Sequence, residues 1–407
     1  MNTQLNRKQW GIVRIFWTVG GLREFGMSFF ATTYVLFLLS RGLNLFEANL
    51  VNTVFFVTLF LFEIPTGVIA DVYGRRISVI IAYVIKAIGM GLYFISHSFW
   101  ACALAEGISA IGMTFATGAF DAWLVDELKT HGYRENTRWI FSRGQQIGKL
   151  AGLVAALAGS WLGSIDLAIP WIAASASLSV GALVAICAMR EDSFQKRTYS
   201  WNAGWSEMGK TFRAGLTYVR QSSTMRFLIV MGLVQSFSVM AANMQWAPWF
   251  SGLLGETKTL GFVWWGITIA IVLGSELATK AVKLVQSEKW ALIATNIAIG
   301  IGIAFATLFG NFAVGISVFL FHELSRGMYR PLKDAYLNAN IPSEQRATLI
   351  SFDAMAFHIG GALGLVVSGA LANSFGIPIA WIVSGTVLII GTFMVAMNGV
   401  HKETLKD

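Results

Sequence analysis

Apolar runs of about 20 residues recur along the whole 407-residue chain, each long enough to cross a bilayer as a helix. Inside hydrocarbon every backbone polar group needs an internal partner, so only helices or closed barrels span it. The runs lack the dyad alternation of barrel strands, which makes them helices. Twelve are expected, at about 15–38, 47–70, 77–96, 99–125, 139–163, 167–189, 225–250, 259–279, 289–309, 312–334, 347–370 and 377–398. Composition agrees, with 55% hydrophobic and 13% charged residues against roughly 25% charged in soluble domains. The expected fold class is an all-α integral membrane protein of twelve transmembrane helices. No cleavable leader is expected, because the first span follows the polar Asn6, Arg7 and Lys8 and has no small-residue cleavage site.

Basic residues set the orientation. Arg75, Arg76, Lys129, Arg134, Arg138, Arg190, Lys196, Arg197, Lys280, Lys283, Arg330, Lys333 and Arg346 fall in or beside loops on the side of the N-terminus. The opposite loops hold only Arg41 and Lys258, so both termini are expected in the cytoplasm. The net charge of +8 is then a topology signal, and nucleic acid is not an expected partner. Cys102 and Cys187 lie near opposite membrane faces; no disulfide is expected, and both read as buried apolar fillers.

The longest polar segment, 190–224, separates six spans in 1–189 from six in 225–407, the layout expected of a transporter built from repeats. Within it Trp201, Trp205, Met208, Phe212, Leu216 and Val219 recur at spacings of three and four, with Lys210, Arg213 and Arg220 on other faces. The pattern reads as an amphipathic helix on the cytoplasmic leaflet, or as a helix packed onto the protein. Residues 204–211 match the phosphate-loop expression G-x-x-x-x-G-K-T, but a nucleotide site needs a strand before it and an α/β domain around it. The linker has no room for one.

Between the second and third spans stands a doubly basic turn, Gly67-Val68-Ile69-Ala70-Asp71-Val72-Tyr73-Gly74-Arg75-Arg76. Gly74 permits a tight turn, and Arg75 can make charge-assisted bonds to carboxylates. The stretch resembles the signature loop of the major facilitator superfamily, G-x-x-x-D-x-x-G-R-[RK]. That resemblance implies two six-helix bundles (the major facilitator fold) and secondary transport. It also implies that Asp71 and Arg75 latch the outward-open state, with an acidic partner at the inner end of span 4, where Asp126 and Glu127 stand. The alternative is that Arg75 and Arg76 are positive-inside anchors, the preferred reading for Arg76. Two stretches depart from the pattern of proton-coupled members: 105–112 in span 4 has no arginine, and 144–152 in span 5 has no proline. Residues 326–332 and 346–348 look like the matching half of bacterial efflux-type members, which implies a bacterial inner membrane.

Ionisable groups at bilayer depth are costly and therefore functional candidates. At ~100° per residue, Glu106, Ala110, Met113, Thr117 and Asp121 share one face of span 4, and Phe16, Gly20, Arg23, Met27, Phe30 and Tyr34 one face of span 1. Family architecture places spans 1, 4, 7 and 10 around a central cavity. Arg23 and Asp121 lie about 9–14 Å from the cytoplasmic face and are expected partners, either as a static brace or in transport. Lys86 is expected to pair with a carboxylate such as Glu106, and Glu24, turned away from Arg23, has no evident partner. Lys149 sits near mid-membrane on a face with Ser142 and Gln145; Asn243 and Gln245 offer neutral hydrogen bonds in span 7. In span 10, His322 and Arg326 form a stripe with Glu323 beside it, and Asp353 follows in span 11. A carboxylate shut away from water suits proton coupling. Asp121 and Glu323 are the first candidates, Asp353 and Glu106 the next, and a permanent Glu323–Arg326 salt bridge is the competing reading.

The expected function is proton-coupled secondary transport by alternating access, exporting a small amphipathic or drug-like compound; the alternative is a proton symporter importing a polar nutrient. The five histidines show no metal-ligand spacing. No enzyme activity, metal or cofactor is expected, the proton gradient being the energy source. The expected partners are a small-molecule substrate, protons and the lipid bilayer, and the expected state a monomer.

Overall fold

The computed structural model describes residues 5–192, 194, 201–341 and 345–400, and there all side chains except those of Val68, Asp71, Glu207, 201–204 and 398–400. The described residues form fifteen helices and no strand. In the first half these are α1 (Arg7–Phe29), α2 (Tyr34–Ser40), α3 (Leu45–Tyr73), α4 (Arg75–Ile95), α5 (Phe99–Ala116), α6 (Ala119–Thr130), α7 (Arg138–Ile165) and α8 (Ile169–Ala188). The linker helix is α9 (Trp201–Gln221). Then come α10 (Ser223–Leu254), α11 (Leu260–Val285), α12 (Glu288–Ala306), α13 (Phe312–Asn340), α14 (Arg346–Phe375) and α15 (Ile377–Val400). Counting α5 with α6, ten spans are long and apolar enough to cross a membrane, and α1 with α2, bent by 43°, makes an eleventh. The 29-residue α13 is long enough too, but His322, Glu323, Arg326 and Arg330 interrupt its apolar run. The protein is thus an all-α, multi-pass membrane protein, compatible with twelve spans.

Short polar signals start and stop these helices. Asn6 and Gln9 form a reciprocal capping box at the head of α1, both bonds 2.9 Å. Ser98, Ser222, Ser287 and Asn311 cap α5, α10, α12 and α13 with their side chains. Gly74, at φ +98°, makes the turn between α3 and α4. Gly118, at φ +75°, does what span 4 was not expected to do. It breaks the span into α5 and α6, because the chain enters a left-handed conformation that only glycine adopts without strain.

Two compact units divide the chain: Met1–Arg41 with Thr58–Met208 and Thr257–Gly261, and Gly42–Val57 with Gly209–Glu256 and Phe262–Asp407. In the first, α1 packs on α7 and α8, and α4 on α5 and α8. The glycines of α7 make the first contact close: a methyl at Gly148 would meet Glu24 Cγ at 2.8 Å, and one at Gly152 would meet Ser28 Oγ at 2.8 Å. A methyl at Gly159 would collide with the Phe29 backbone. Gly159→Val should therefore force α1 off α7 and cost about 1–3 kcal/mol by overpacking. A lowered melting temperature in detergent checks this, with Gly209→Ala, at a site open to solvent, as the unaffected control. In the second unit, α10 packs on α14 and α15, and α12 on α13 and α15. Gly360 and Gly364 lie against the α10 backbone, and Gly274 and Gly327 let α11 and α13 cross closely.

One further expectation is corrected, and two readings of the linker can be placed on the structure. Cys187 is exposed, not buried, because it falls on the outer face of α8; Cys102 is buried. Residues 204–211 lie within the continuous helix α9, so no phosphate-binding loop forms there. The apolar stripe of α9 is partly spent on protein: Gly215 and Phe212 pack on Phe352, their rings 5.6 Å apart for the aromatic pair, while Leu216 stays 36% exposed.

Candidate functional site

The doubly basic turn is held from two directions. Gly74 closes α3, and a side chain there would come within 2.6 Å of Glu191 Oε2. Glu191, just beyond α8, accepts the backbone N–H of Arg75 at 2.7 Å and of Arg76 at 2.9 Å. It thereby satisfies two of the orphan donors at the start of α4 and puts a negative charge where the helix dipole favours one. The Arg75 guanidinium reaches across to α6, pairing with Asp126 and donating to the Ala122 carbonyl at 2.9 Å. Arg76 donates to the Ile186 carbonyl at 2.8 Å, so it is tied to protein as well as placed near the basic face. Glu127 is buried beneath, with His131 Nδ1 2.9 Å from its carbonyl and His131 Nε2 3.7 Å from Asp192. The side chain of Asp71 lies outside the described residues, and Gly67 faces open space. Glu191 was not anticipated. The signal lay in its position, an acid at the end of span 6 among the basic residues of that face.

Within the spans of the first unit, exposed charges gather on one surface. Arg23 and Glu24 form an ion pair of 3.1 Å with both side chains more than a third exposed. This corrects the expected Arg23–Asp121 partnership and supplies the missing partner of Glu24. Adjacent residues point about 100° apart, but the long guanidinium arm folds back far enough to close the gap. Asp121, in the first turn of α6, remains exposed and within electrostatic reach of Arg23. Met113, Thr117, Gln145 and Lys149 are exposed as well. Ionisable groups at bilayer depth rarely face lipid, which makes this surface a candidate for polar contacts.

Behind this surface lies a dry layer. Glu106 is buried and accepts the Tyr93 hydroxyl, which also hydrogen-bonds with Tyr34. Lys86 is buried with its Nζ 3.5 Å from Met113 Sδ and within electrostatic reach of Glu106. Gly112 packs so tightly against it (2.6 Å from a would-be methyl to Lys86 Cγ) that the side chain is steered toward Met113. The break at Gly118 takes Asp121 off the α5 stripe of Glu106, Ala110 and Met113, because a helical stripe does not continue through a left-handed residue. Phe30 stacks on Trp171 at 4.5 Å, and Tyr34 lies 5.7 Å from the same ring.

Among the described residues, α13 of the second unit carries buried ion pairs. On α13, Arg326 meets Glu323 at 2.6 Å and also donates to Asn243 of α10. His322 is fully buried beside them, Nε2 3.8 Å from Glu323 Oε1 and Nδ1 3.4 Å from the Ile299 carbonyl. Farther along α13, Lys333 Nζ lies 2.7 Å from each carboxylate oxygen of Asp353 on α14. Asp353, a secondary protonation candidate, thus has a dedicated counter-ion, because Lys333 turns into the protein instead of toward the loop. Gln245 also leaves the cavity set. It is fully buried, its amide donating to the Ser368 carbonyl at 3.2 Å and accepting from Trp381 at 3.0 Å. It braces α10 against α14 and α15. Among the described residues, no group of three or more His, Cys, Asp or Glu is arranged to hold a metal.

The family profile of the Major Facilitator Superfamily matches residues 281–404. An uncharacterized MFS-type transporter of Bacillus subtilis, YxaM, is 20% identical over 92% of this chain and 93% of its own. The multi-drug resistance efflux pump PmrA of Streptococcus pneumoniae is 25% identical, covering 81% of this chain and 80% of its own. Among solved structures, the nucleoside transporter NupG superposes with a TM-score of 0.79 at 13% identity, over 95% of this chain and 98% of NupG. A POT family transporter in complex with 5-aminolevulinic acid reaches 0.72 at 13% identity, over 96% of both chains. The profile match is confined to the C-terminal part of the chain, the relatives are similar along most of it, and the fold is that of major facilitator transporters. The matched family and these relatives are transporters.

Proposed function

We propose that this protein is a proton-coupled secondary active transporter working by alternating access in a bacterial inner membrane, with both termini cytoplasmic. Its cargo in this reading is a small amphipathic or drug-like compound, carried outward by a monomer that needs no cofactor beyond the proton gradient. The observation that carries it is the buried cluster of Glu323, Arg326 and His322 on α13, open to Asn243. A carboxylate bound to an arginine at bilayer depth has two stable conditions. It is either charged and paired, or protonated with the arginine released to another partner. That exchange is what coupling requires. Similarity to an efflux pump supports the outward direction.

Arg75, Asp126 and Glu191 serve, in the same proposal, as the latch of one end state, to which the resemblance of the turn adds Asp71. Asp121 is the second candidate for protonation. Import of a polar solute by proton symport is the other reading, and the exposed Arg23–Glu24 pair with Asp121 and Lys149 favours it. Such a surface suits a polar or zwitterionic cargo better than a lipophilic one. Thermal-shift screening at two pH values would find ligands, and proteoliposomes with imposed pH gradients would then separate the readings. Accumulation driven by an inward proton gradient, in the direction of the protons, would sink export. Glu323→Gln should abolish gradient-driven accumulation while leaving substrate exchange in place. Wild-type accumulation in that variant would remove Glu323 from coupling.

A further inference from the structure

Away from these charged groups, the second unit carries an open apolar groove of about 560 Å³ lined by Val285, Trp290, Ile293, Ile297, Phe393 and Met397. It runs between α12 and α15, with the last residue of α11 at its mouth. Its walls are far from closed: Trp290 is 50%, Phe393 51% and Met397 70% exposed. From Trp290 to Ile297 the groove follows α12 for ~10 Å, less than the ~15 Å of one half of a bilayer core. A spanning helix from a second copy would need a groove that continues through both leaflets. One that stops inside a single leaflet suits an acyl chain.

The mouth supplies the other half of a lipid. Lys280 and Lys283 are exposed on the last turns of α11, and Lys289 directly precedes Trp290. Glu288 is the one acidic residue between positions 280 and 289. Lysine stems lie along apolar surface while the ammonium groups reach the interface, and tryptophan settles at headgroup level. Basic clusters at the ends of spans attract anionic headgroups. We propose that this groove binds one anionic phospholipid, its acyl chain against Ile293, Ile297 and Phe393 and its phosphate held by the exposed Lys280 and Lys283. The proposal rests on the membrane-spanning helices and is independent of what the protein transports.

The test uses the full chain in phosphatidylcholine nanodiscs containing a minority of brominated phosphatidylglycerol or brominated phosphatidylcholine. The difference between the wild type and Trp290→Phe isolates the fluorescence of Trp290. That component should be quenched more by the brominated anionic lipid, and the preference should fall about fivefold for each lysine removed in Lys280→Gln and Lys283→Gln. Native mass spectrometry of the same proteins should show a retained anionic lipid that the double variant loses. Equal quenching by the two lipids would overturn the proposal. So would a two-chain mass with Trp290 shielded from both, which would place a second copy in the groove.

Discussion

Lys333→Ala should destabilise the protein by about 3–5 kcal/mol, because it strands the Asp353 carboxylate without its counter-ion. Both side chains are well sheltered, 7% and 17% exposed, and the ammonium contacts both carboxylate oxygens at 2.7 Å. At ~2–4 °C per kcal/mol for domains of this size, the melting temperature in detergent should fall by roughly 6–20 °C. The double variant Lys333→Met, Asp353→Leu should recover most of that loss, since a buried pair adds little over well-packed apolar residues. If the double variant is as unstable as the single one, Lys333 acts through packing and not through charge. An unchanged single variant would mean that Asp353 finds water.

Glu191→Ala should loosen the doubly basic turn without unfolding the bundle. The substitution removes two hydrogen bonds to a charged acceptor, each worth about 1.5–3 kcal/mol. Hydrogen exchange at the Arg75 and Arg76 amides should accelerate by about tenfold or more, while amides of α10 and α14 keep their wild-type rates. Arg75→Ala should instead leave those two amides protected, because their bonds run through the backbone, yet lose the contact with Asp126. Transport should fall in both variants and expression persist. Wild-type flux in both would deny the cluster any part in gating.

Much of the fold could be read from the sequence because the bilayer restricts the answer to a few forms. Hydropathy located the spans, but the two compact units exchange Gly42–Val57 and Thr257–Gly261, which a division at the polar segment does not foresee. What escaped was local geometry. A single left-handed glycine, Gly118, separates Glu106 from Asp121, and helical periodicity carries no warning of it. Partner choice escaped for a related reason. Arg23 takes its own neighbour Glu24, and Lys333 turns inward to Asp353, because long flexible cations reach partners that face counting places elsewhere. Gln245 looked like a cavity residue, but depth along a helix does not say which way a side chain turns. Asp126 was legible, since an acid at the end of span 4 stands one helix away from the basic turn; Glu191, from a loop more than 100 residues on in the chain, was not.

The twelve-residue helix α6 is short enough to move as one piece. Asp121 stands in its first turn and Asp126 one and a half turns later, ~7.5 Å along the axis. Gly118 frees its upper end, while Arg75 holds its lower one. A tug on the carboxylate at one end is therefore felt by the arginine at the other. In the transport reading proposed above, α6 is the rigid rod that joins Asp121 to the Arg75–Asp126 contact.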